Sequence, residues 1–299
     1  MSKKKILVGL AFGLVCTIAL AQEEEGQVNP NSLLSIPRYE QLYKVKVWRS
    51  IDLRENQNKG FFARGNELSS LIIKAVKSGE LADIYSNDSL TVKKKKEDFL
   101  GSLVMKAGAT LPPWDPAASY YKDDPVTFNG KNYMATTDNK GKNPSTSAND
   151  WETSTAGRPT YYSERDIYTL KLVEDVIFDK RRSRLYYDML AIEFSAFSTE
   201  SDAGLLVSLG WFKYKDLEKL FRNHAKDAIW FNRMNTAENR NYADAFLLRL
   251  FHGTIDKVEN PDNDRIFDTY NGRPYKEAVW ATEWEEMKMM EKEHNLWEY

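Results

Sequence analysis

Cysteine is nearly missing from this chain of 299 residues: Cys16 is the single one. It lies in an apolar run over residues 6–20 that follows Lys3, Lys4 and Lys5 and ends at Ala19-Leu20-Ala21, ahead of Gln22. A basic start, an apolar middle and a small-x-small cleavage site make up a Sec-type signal peptide over residues 1–21. The run is shorter than the ~20 apolar residues that a membrane-spanning helix needs, and Glu23-Glu24-Glu25 follow it at once. Lipid attachment at Cys16 wants a small residue before it, and Val15 is a poor one. Cleavage after Ala21 is therefore expected, and it removes Cys16 with the leader. No cysteine follows, which rules out disulfides, thiol catalysis and cysteine-ligated zinc together in the exported chain.

Histidine is almost as scarce. His224, His252 and His294 each stand alone in their segments, so no H-E-x-x-H pair exists to hold a metal on one helical turn. His224 reads as a hydrogen-bonded residue of an apolar helix face, and His294 as a charge complement at a helix C-terminus. A P-loop and a G-x-G-x-x-G turn are absent, and the glycines around Ser208 have the wrong spacing for a nucleophile elbow. Asp262, Asp264 and Asp268 hint at a calcium loop. However, Ile266, Phe267 and Arg273 occupy the positions that need an oxygen, a glycine and a bidentate carboxylate.

A basic excess is lacking as well. Forty-two basic residues against 44 acidic ones give a formal charge of −2, made more acidic by loss of the leader's lysines; nothing global favours nucleic acid. Those 44 carboxylates leave room for a glycosidase pair roughly 5–9.5 Å apart, but no pair is singled out by an apolar setting. The expectation is a protein without catalytic residues, metal or cofactor, and not an enzyme.

What is present is a folded body. A 42% hydrophobic fraction with a mean hydropathy of −0.59 fits neither a polytopic membrane protein nor a disordered chain. Residues 22–37 read as a flexible leader. Residues 43–53 alternate in strand rhythm. Asn66 is a candidate N-cap for a helix carrying Leu68, Leu71, Ile72, Ala75 and Val76, ended by Ser78-Gly79. A second helix is expected over 93–104. Residues 167–178 and 185–197 are β-prone runs joined by Asp179-Lys180-Arg181-Arg182-Ser183, hence a hairpin. A strand over 205–212 leads into a helix bearing Leu217, Leu220, Phe221, His224 and Ala225. A helix over 242–251 turns Phe246, Leu247, Leu250 and Phe251 inward, and a last one over 274–293 sets Trp280, Trp284 and Met287 at i, i+4, i+7. Strands and helices mix without a βαβ rhythm, so the fold class is α+β, with helices and antiparallel strands.

Two basic clusters stand out. Lys93-Lys94-Lys95-Lys96 opens the second helix against the dipole preference, and Lys180, Arg181, Arg182 and Arg184 tip the hairpin. Both read as solvated faces, the alternative being an acidic partner or lipid headgroups.

Between residues 110 and 157 the composition turns to Pro, Gly, Ser, Thr, Asn and Asp with aromatics between them. The stretch from Trp114-Asp115-Pro116 through Tyr120, Asp124-Pro125-Val126, Phe128-Asn129-Gly130-Lys131 and Tyr133-Met134-Ala135 to Pro144 and Trp151 resembles small carbohydrate-binding modules of the chitin-binding 5/12 type. Asn129-Gly130 is a hairpin signal. The resemblance implies a small β domain inserted in a loop, with Trp114, Tyr121, Tyr133 and Trp151 as candidate sugar-stacking rings. In so small a module the same rings are also the core.

The flanking segments, 38–109 and 158–299, carry another resemblance. Val47-Trp48-Arg49-Ser50-Ile51-Asp52-Leu53-Arg54-Glu55, then Val173-Glu174-Asp175-Val176-Ile177-Phe178-Asp179-Lys180-Arg181-Arg182-Ser183, and the closing Glu293-His294-Asn295-Leu296-Trp297-Glu298-Tyr299 resemble the GldN/PorN family of gliding motility and type IX secretion. This implies a discontinuous GldN/PorN-like domain and a non-enzymatic periplasmic scaffold. Such a scaffold forms a ring beneath the outer membrane with a GldK/PorK-like lipoprotein and touches a GldM/PorM-like motor protein. Lys180, Arg181, Arg182, Arg184, Trp297 and Tyr299 are candidate partner contacts. The rival reading is a secreted glycan-binding protein or glycan-active enzyme that uses the inserted module for polysaccharide targeting.

Overall fold

The computed structural model describes residues 28–34, 36–106, 111–155, 157, 160–197 and 205–297. The expected signal peptide lies outside them. The chain is α+β, and it divides into two compact units. One holds Met1–Phe99, Glu164–Ala196 and Ser208–Tyr299; the other holds Leu100–Ser163 and Phe197–Val207.

The first unit is built on a sheet of seven strands: β1 (Gln41–Asp52), β2 (Ile84–Tyr85), β3 (Lys93–Lys94), β4 (Thr169–Asp179), β5 (Arg184–Phe197), β6 (Leu206–Lys213) and β7 (Thr254–Val258). Their spatial order is β7-β1-β4-β5-β6-β2-β3. β1 runs antiparallel to both β4 and β7, and β4 to β5. The hairpin read from residues 167–197 is therefore the centre of the sheet, its turn closed by Ser183 in the left-handed region (φ 49°). Among the described residues, six α-helices accompany the sheet: α1 (Leu68–Ser78), α2 (Lys96–Ser102), α3 (Tyr214–Asn223), α4 (Tyr242–Leu247), α5 (Ile266–Thr269) and α6 (Tyr275–Trp297).

Local chemistry explains most boundaries. α1 stops where Gly79 turns left-handed (φ 84°) and its N–H donates to the carbonyls of Ala75 and Val76. α4 starts at Asn241, whose side-chain oxygen accepts from the Ala243 N–H at 2.9 Å. Its amide nitrogen donates to the Phe221 carbonyl at 2.7 Å, tying α4 to α3. Between these helices lies an aromatic cluster of Phe61, Tyr214, Phe221, Tyr242 and Phe246, all buried, with ring centroids 4.7–6.2 Å apart.

Several expectations change. Asn66 does not cap α1. It lies in a short strand and donates instead to the Ile229 carbonyl at 3.0 Å. The second helix begins only at Lys96, because Lys93 and Lys94 are used as strand β3. His224 stands past the end of α3, half-buried, with its Nε2 2.6 Å from Glu80. α4 ends at Leu247, which points to solvent at 60% exposure. The second half of the supposed flexible leader lies on the sheet: Ile36 is buried, and the Leu33 N–H donates to buried Asp188 at 3.1 Å. Burial pushes the Asp188 carboxyl above its ordinary range, so these donors are needed there.

A buried ion network holds the sheet to α6. Glu174 on β4 is fully buried and accepts from Arg49 Nε at 3.2 Å and from Arg249 Nη1 at 2.6 Å. Arg49 is a diagonal neighbour of Glu174 on the same sheet face. It reaches on to the Gly253 carbonyl and to Glu286 of α6. Burial alone would lower the Arg49 pKa, but Glu174 and Glu286 outweigh it and raise it. Bulges flank the pair: β4–β5 slips register between Val173 and Glu174, and β1–β7 between Trp48 and Arg49. Around the network pack Val47, Val176, Phe178, Leu185, Ile255 and Met289 of α6.

The second unit is small and all-β around its middle. Strands Trp151–Thr153, Lys131–Ala135 and Pro125–Phe128 form a three-stranded sheet in that order, and Ser119–Tyr120 pairs with Asn139–Lys140. The Asn129-Gly130 turn is left-handed at both residues, φ 50° and 73°, as a two-residue hairpin requires. Tyr120, Val126, Tyr133, Ala135 and Trp151 are its buried core. The unit is wider than the expected insert of 110–157.

Replacing Glu174 by alanine leaves Arg49 and Arg249 without their shared partner. A loss of about 3–5 kcal/mol in denaturant unfolding is expected, whereas breaking the exposed Lys93–Asp83 pair should leave the unfolding midpoint nearly unchanged. A loss below 1 kcal/mol for Glu174→Ala overturns the central place given to the network.

Candidate functional site

Several polar residues of the first two sequence motifs turn out to be structural. The Trp48 indole donates to Asp88 at 2.9 Å, and Lys257 stands 3.6 Å over its ring. Asp52 binds Arg54 at 2.8 Å, and Arg54 covers the Tyr168 ring at 3.7 Å. Glu55 meets His252 at 2.7 Å. Asp175, buried, takes Lys44 at 2.7 Å. Each of these groups is engaged within the chain, so a functional surface has to be sought among the exposed residues.

The hairpin tip is one place. Asp179 is buried at its base and accepts the N–H groups of Arg181 and Arg182, at 2.8 and 3.2 Å, and the Arg182 guanidinium at 2.7 Å. Burial would raise the Asp179 pKa, but the Arg182 contacts and the Arg181 N–H overcome it and hold it below the usual carboxylate range. Arg182 is thereby half neutralised. Arg181 is exposed and 3.6 Å from Glu40, the Lys180 N–H donates to the Glu40 carbonyl, and Arg184 lies over Tyr186 at 5.5 Å. The tip is a cationic knob with built-in acidic counterparts.

The second unit offers fewer rings than expected. Trp151 and Tyr133 are buried at 2% and 8% exposure, and the Trp151 indole donates to the Lys142 carbonyl at 2.9 Å. Neither ring has a face free to stack on sugar, since a module this small needs them as core. Trp114, edge-on to Phe128 at 5.3 Å, is part-exposed with an unpartnered indole N–H, and Tyr121 is exposed.

The C-terminal helix behaves differently from a core helix. Its inner side is Ala278, Thr282 and Met289. Trp280, Trp284 and Met287 lie on the opposite side, each more than half exposed, and Met290 is exposed beside them. The i, i+4, i+7 stripe is present but faces outward. Trp297 is exposed too, and Tyr299 lies outside the described residues.

One surface was not anticipated. Within the first unit, a cleft of about 950 Å³ has a floor of Phe62, Ile229, Trp230 and Phe231. Trp230 lies so close to Gly60 that a Cβ there would be 2.3 Å from its indole nitrogen, so only glycine fits. The Phe231 N–H donates to the Gly60 carbonyl at 3.0 Å. Lys59, Arg64, Arg165 and Arg233 border the cleft, and among the described residues no carboxylate lines it. Of the four cations, Arg165 is held by Glu67 at 2.9 Å. The cations are scattered over three segments, so no charge run in the sequence announces them.

Among the described residues no group of three or more His, Asp or Glu side chains could hold a metal ion, and no helix is long and apolar enough to cross a membrane. The sequence profile of a family described as "Gliding motility associated protein GldN" matches residues 36–298, running through the insert as well as its flanks. No curated protein matches the chain.

Because Asp179 is ionised with a lowered pKa, it stabilises the hairpin above the ordinary aspartate value, ~3.9, and ceases to as pH falls through its own lower value. Asp179→Asn should therefore melt below the wild type at pH 6–7, with the gap closing as pH drops towards 3. A gap independent of pH in thermal scans overturns this role.

Proposed function

Because the chain belongs to the GldN family and is a component of the gliding motility and type IX secretion machinery, we propose that it is a non-enzymatic periplasmic scaffold subunit. It assembles into an outer-membrane-associated ring with a GldK/PorK-like lipoprotein and contacts the periplasmic part of a GldM/PorM-like motor protein. The observation that supports this most is the outward stripe of α6, with Trp280, Trp284 and Met287 exposed in a line. Large apolar side chains grouped on a free helix face are the mark of a surface that another protein covers. The cationic knob at Lys180, Arg181, Arg182 and Arg184 is a second contact, suited to an acidic partner face. Anchoring to the membrane comes through the lipoprotein, since the signal peptide takes Cys16 with it. The purified chain and its lipoprotein partner should co-elute as one large assembly; clean separation at micromolar concentration sinks the reading.

The insert supports a second, narrower role, contact with a glycan. Trp114 and Tyr121 are the two candidate rings that keep exposed area. Retention on chitin, cellulose or peptidoglycan should fall on Trp114→Ala or Tyr121→Ala. Absence of retention for the wild type on all three removes this role.

A further inference from the structure

The chain carries two surfaces that match each other. The outward face of α6 presents Trp280, Trp284, Met287 and Met290, with Glu283 and Glu291 exposed among them. Neither glutamate has an ion-pair partner among the described residues. The cleft presents an aromatic floor and the exposed cations Lys59, Arg64 and Arg233, which likewise lack a carboxylate partner among the described residues. One is an acidic-rimmed apolar ridge, the other a basic-rimmed apolar groove. The cleft's lining includes no residue of α6.

We propose that α6 of one copy docks in the basic cleft of a second copy, its tryptophan and methionine side chains on the aromatic floor and its glutamates among the cleft's arginines and lysine. An amphipathic helix laid in a hydrophobic groove is a standard recognition mode, read as anchors at i, i+4 and i+7. Trp280, Trp284 and Met287 have that spacing. The floor is preformed, because Trp230 is pressed onto Gly60 and Phe231 is hydrogen-bonded to it. Little ordering is then required on binding. Guanidinium groups beside tryptophan rings add cation–π attraction. Since the two patches differ, the contact is head-to-tail, and a pair so joined keeps one ridge and one groove free for the next copies. This rests on the scaffold reading above and names how copies of the chain meet within it.

The test is sedimentation velocity on the full exported chain, with two charge-reversed variants. Cleft-reversed protein carries Lys59→Glu, Arg64→Glu and Arg233→Glu; helix-reversed protein carries Glu283→Lys and Glu291→Lys. The wild type should self-associate with rising concentration, and more weakly at high salt. Each variant alone, with like charges on ridge and groove, should associate about tenfold less or worse. An equimolar mixture should recover association, because a basic ridge then meets an acidic groove and the reverse. Trp284→Ala with Met287→Ala should also lose association, and circular dichroism should show all variants folded.

A wild type that stays monomeric, variants that associate like the wild type, or a mixture that fails to recover each overturn the proposal. Co-elution of the cleft-reversed and helix-reversed proteins with the lipoprotein is measured alongside. If co-elution persists while self-association is unaffected by charge reversal, this proposal fails and the scaffold reading stands.

Discussion

A fully buried carboxylate in the middle of a sheet is an expensive thing to keep, and Glu174 is kept by two arginines that arrive from different directions. Arg49 comes from the neighbouring strand and Arg249 from the segment that precedes β7. The desolvation of three charges makes such a network a poor source of net stability, but it is a strong selector of arrangement. A one-residue slip of β1 would carry Arg49 to the other face of the sheet and leave Glu174 short of a partner. Arg49 also takes Glu286, so the same constraint sets the rotation of α6 about its axis. With Glu286 drawn to the sheet and Met289 in the core, Trp280, Trp284 and Met287 have no choice but to face outward.

That geometry changes what the two sequence motifs mean. Trp48, Arg49, Asp52, Arg54 and Glu55 look like the ingredients of a site, as do Glu174, Asp175 and Asp179. In the folded chain each has a partner in the same chain. In this chain those motif residues therefore serve the framework. The hairpin knob shows the same economy: Asp179 organises the turn that displays the cations and also cancels part of their charge.

Much of the framework was legible in the sequence. The alternation of residues 43–53, the β-prone pair of runs around the Asp179–Ser183 turn and the Ser78-Gly79 stop all rest on local chemistry, and local chemistry is written in adjacent residues. The misreadings share a different cause. His224 and Leu247 have correct helical spacing and Asn66 the right chemistry for a cap, but where a helix begins and ends depends on which backbone groups find partners across the fold, and that is a tertiary matter. The α6 stripe was visible as a period and invisible as a direction, because the opposite face, with Ala278, Thr282 and Met289, is sufficient to pack and looks weak on paper. The insert's rings posed the converse problem: a buried Trp151 and an exposed Tyr121 read alike until the fold of the module assigns them. The cleft was least legible of all, its cations drawn from residues 59–64, 165 and 233.

The run Lys93-Lys94-Lys95-Lys96, read from sequence as an awkward start to a helix, has its own consequence. Its first two residues form the outermost strand of the seven-stranded sheet, a strand only two residues long, with Lys93 at the surface and Lys94 reaching the Leu209 carbonyl at 2.6 Å. Short length and lysine are how sheets refuse further strands at an open border. The opposite border, β7, is met by α5 and α6. The seven-stranded sheet is thus closed to growth by backbone pairing at both borders. The contact proposed between copies is accordingly one of side chains, which can be released, rather than of a continuous sheet, which cannot.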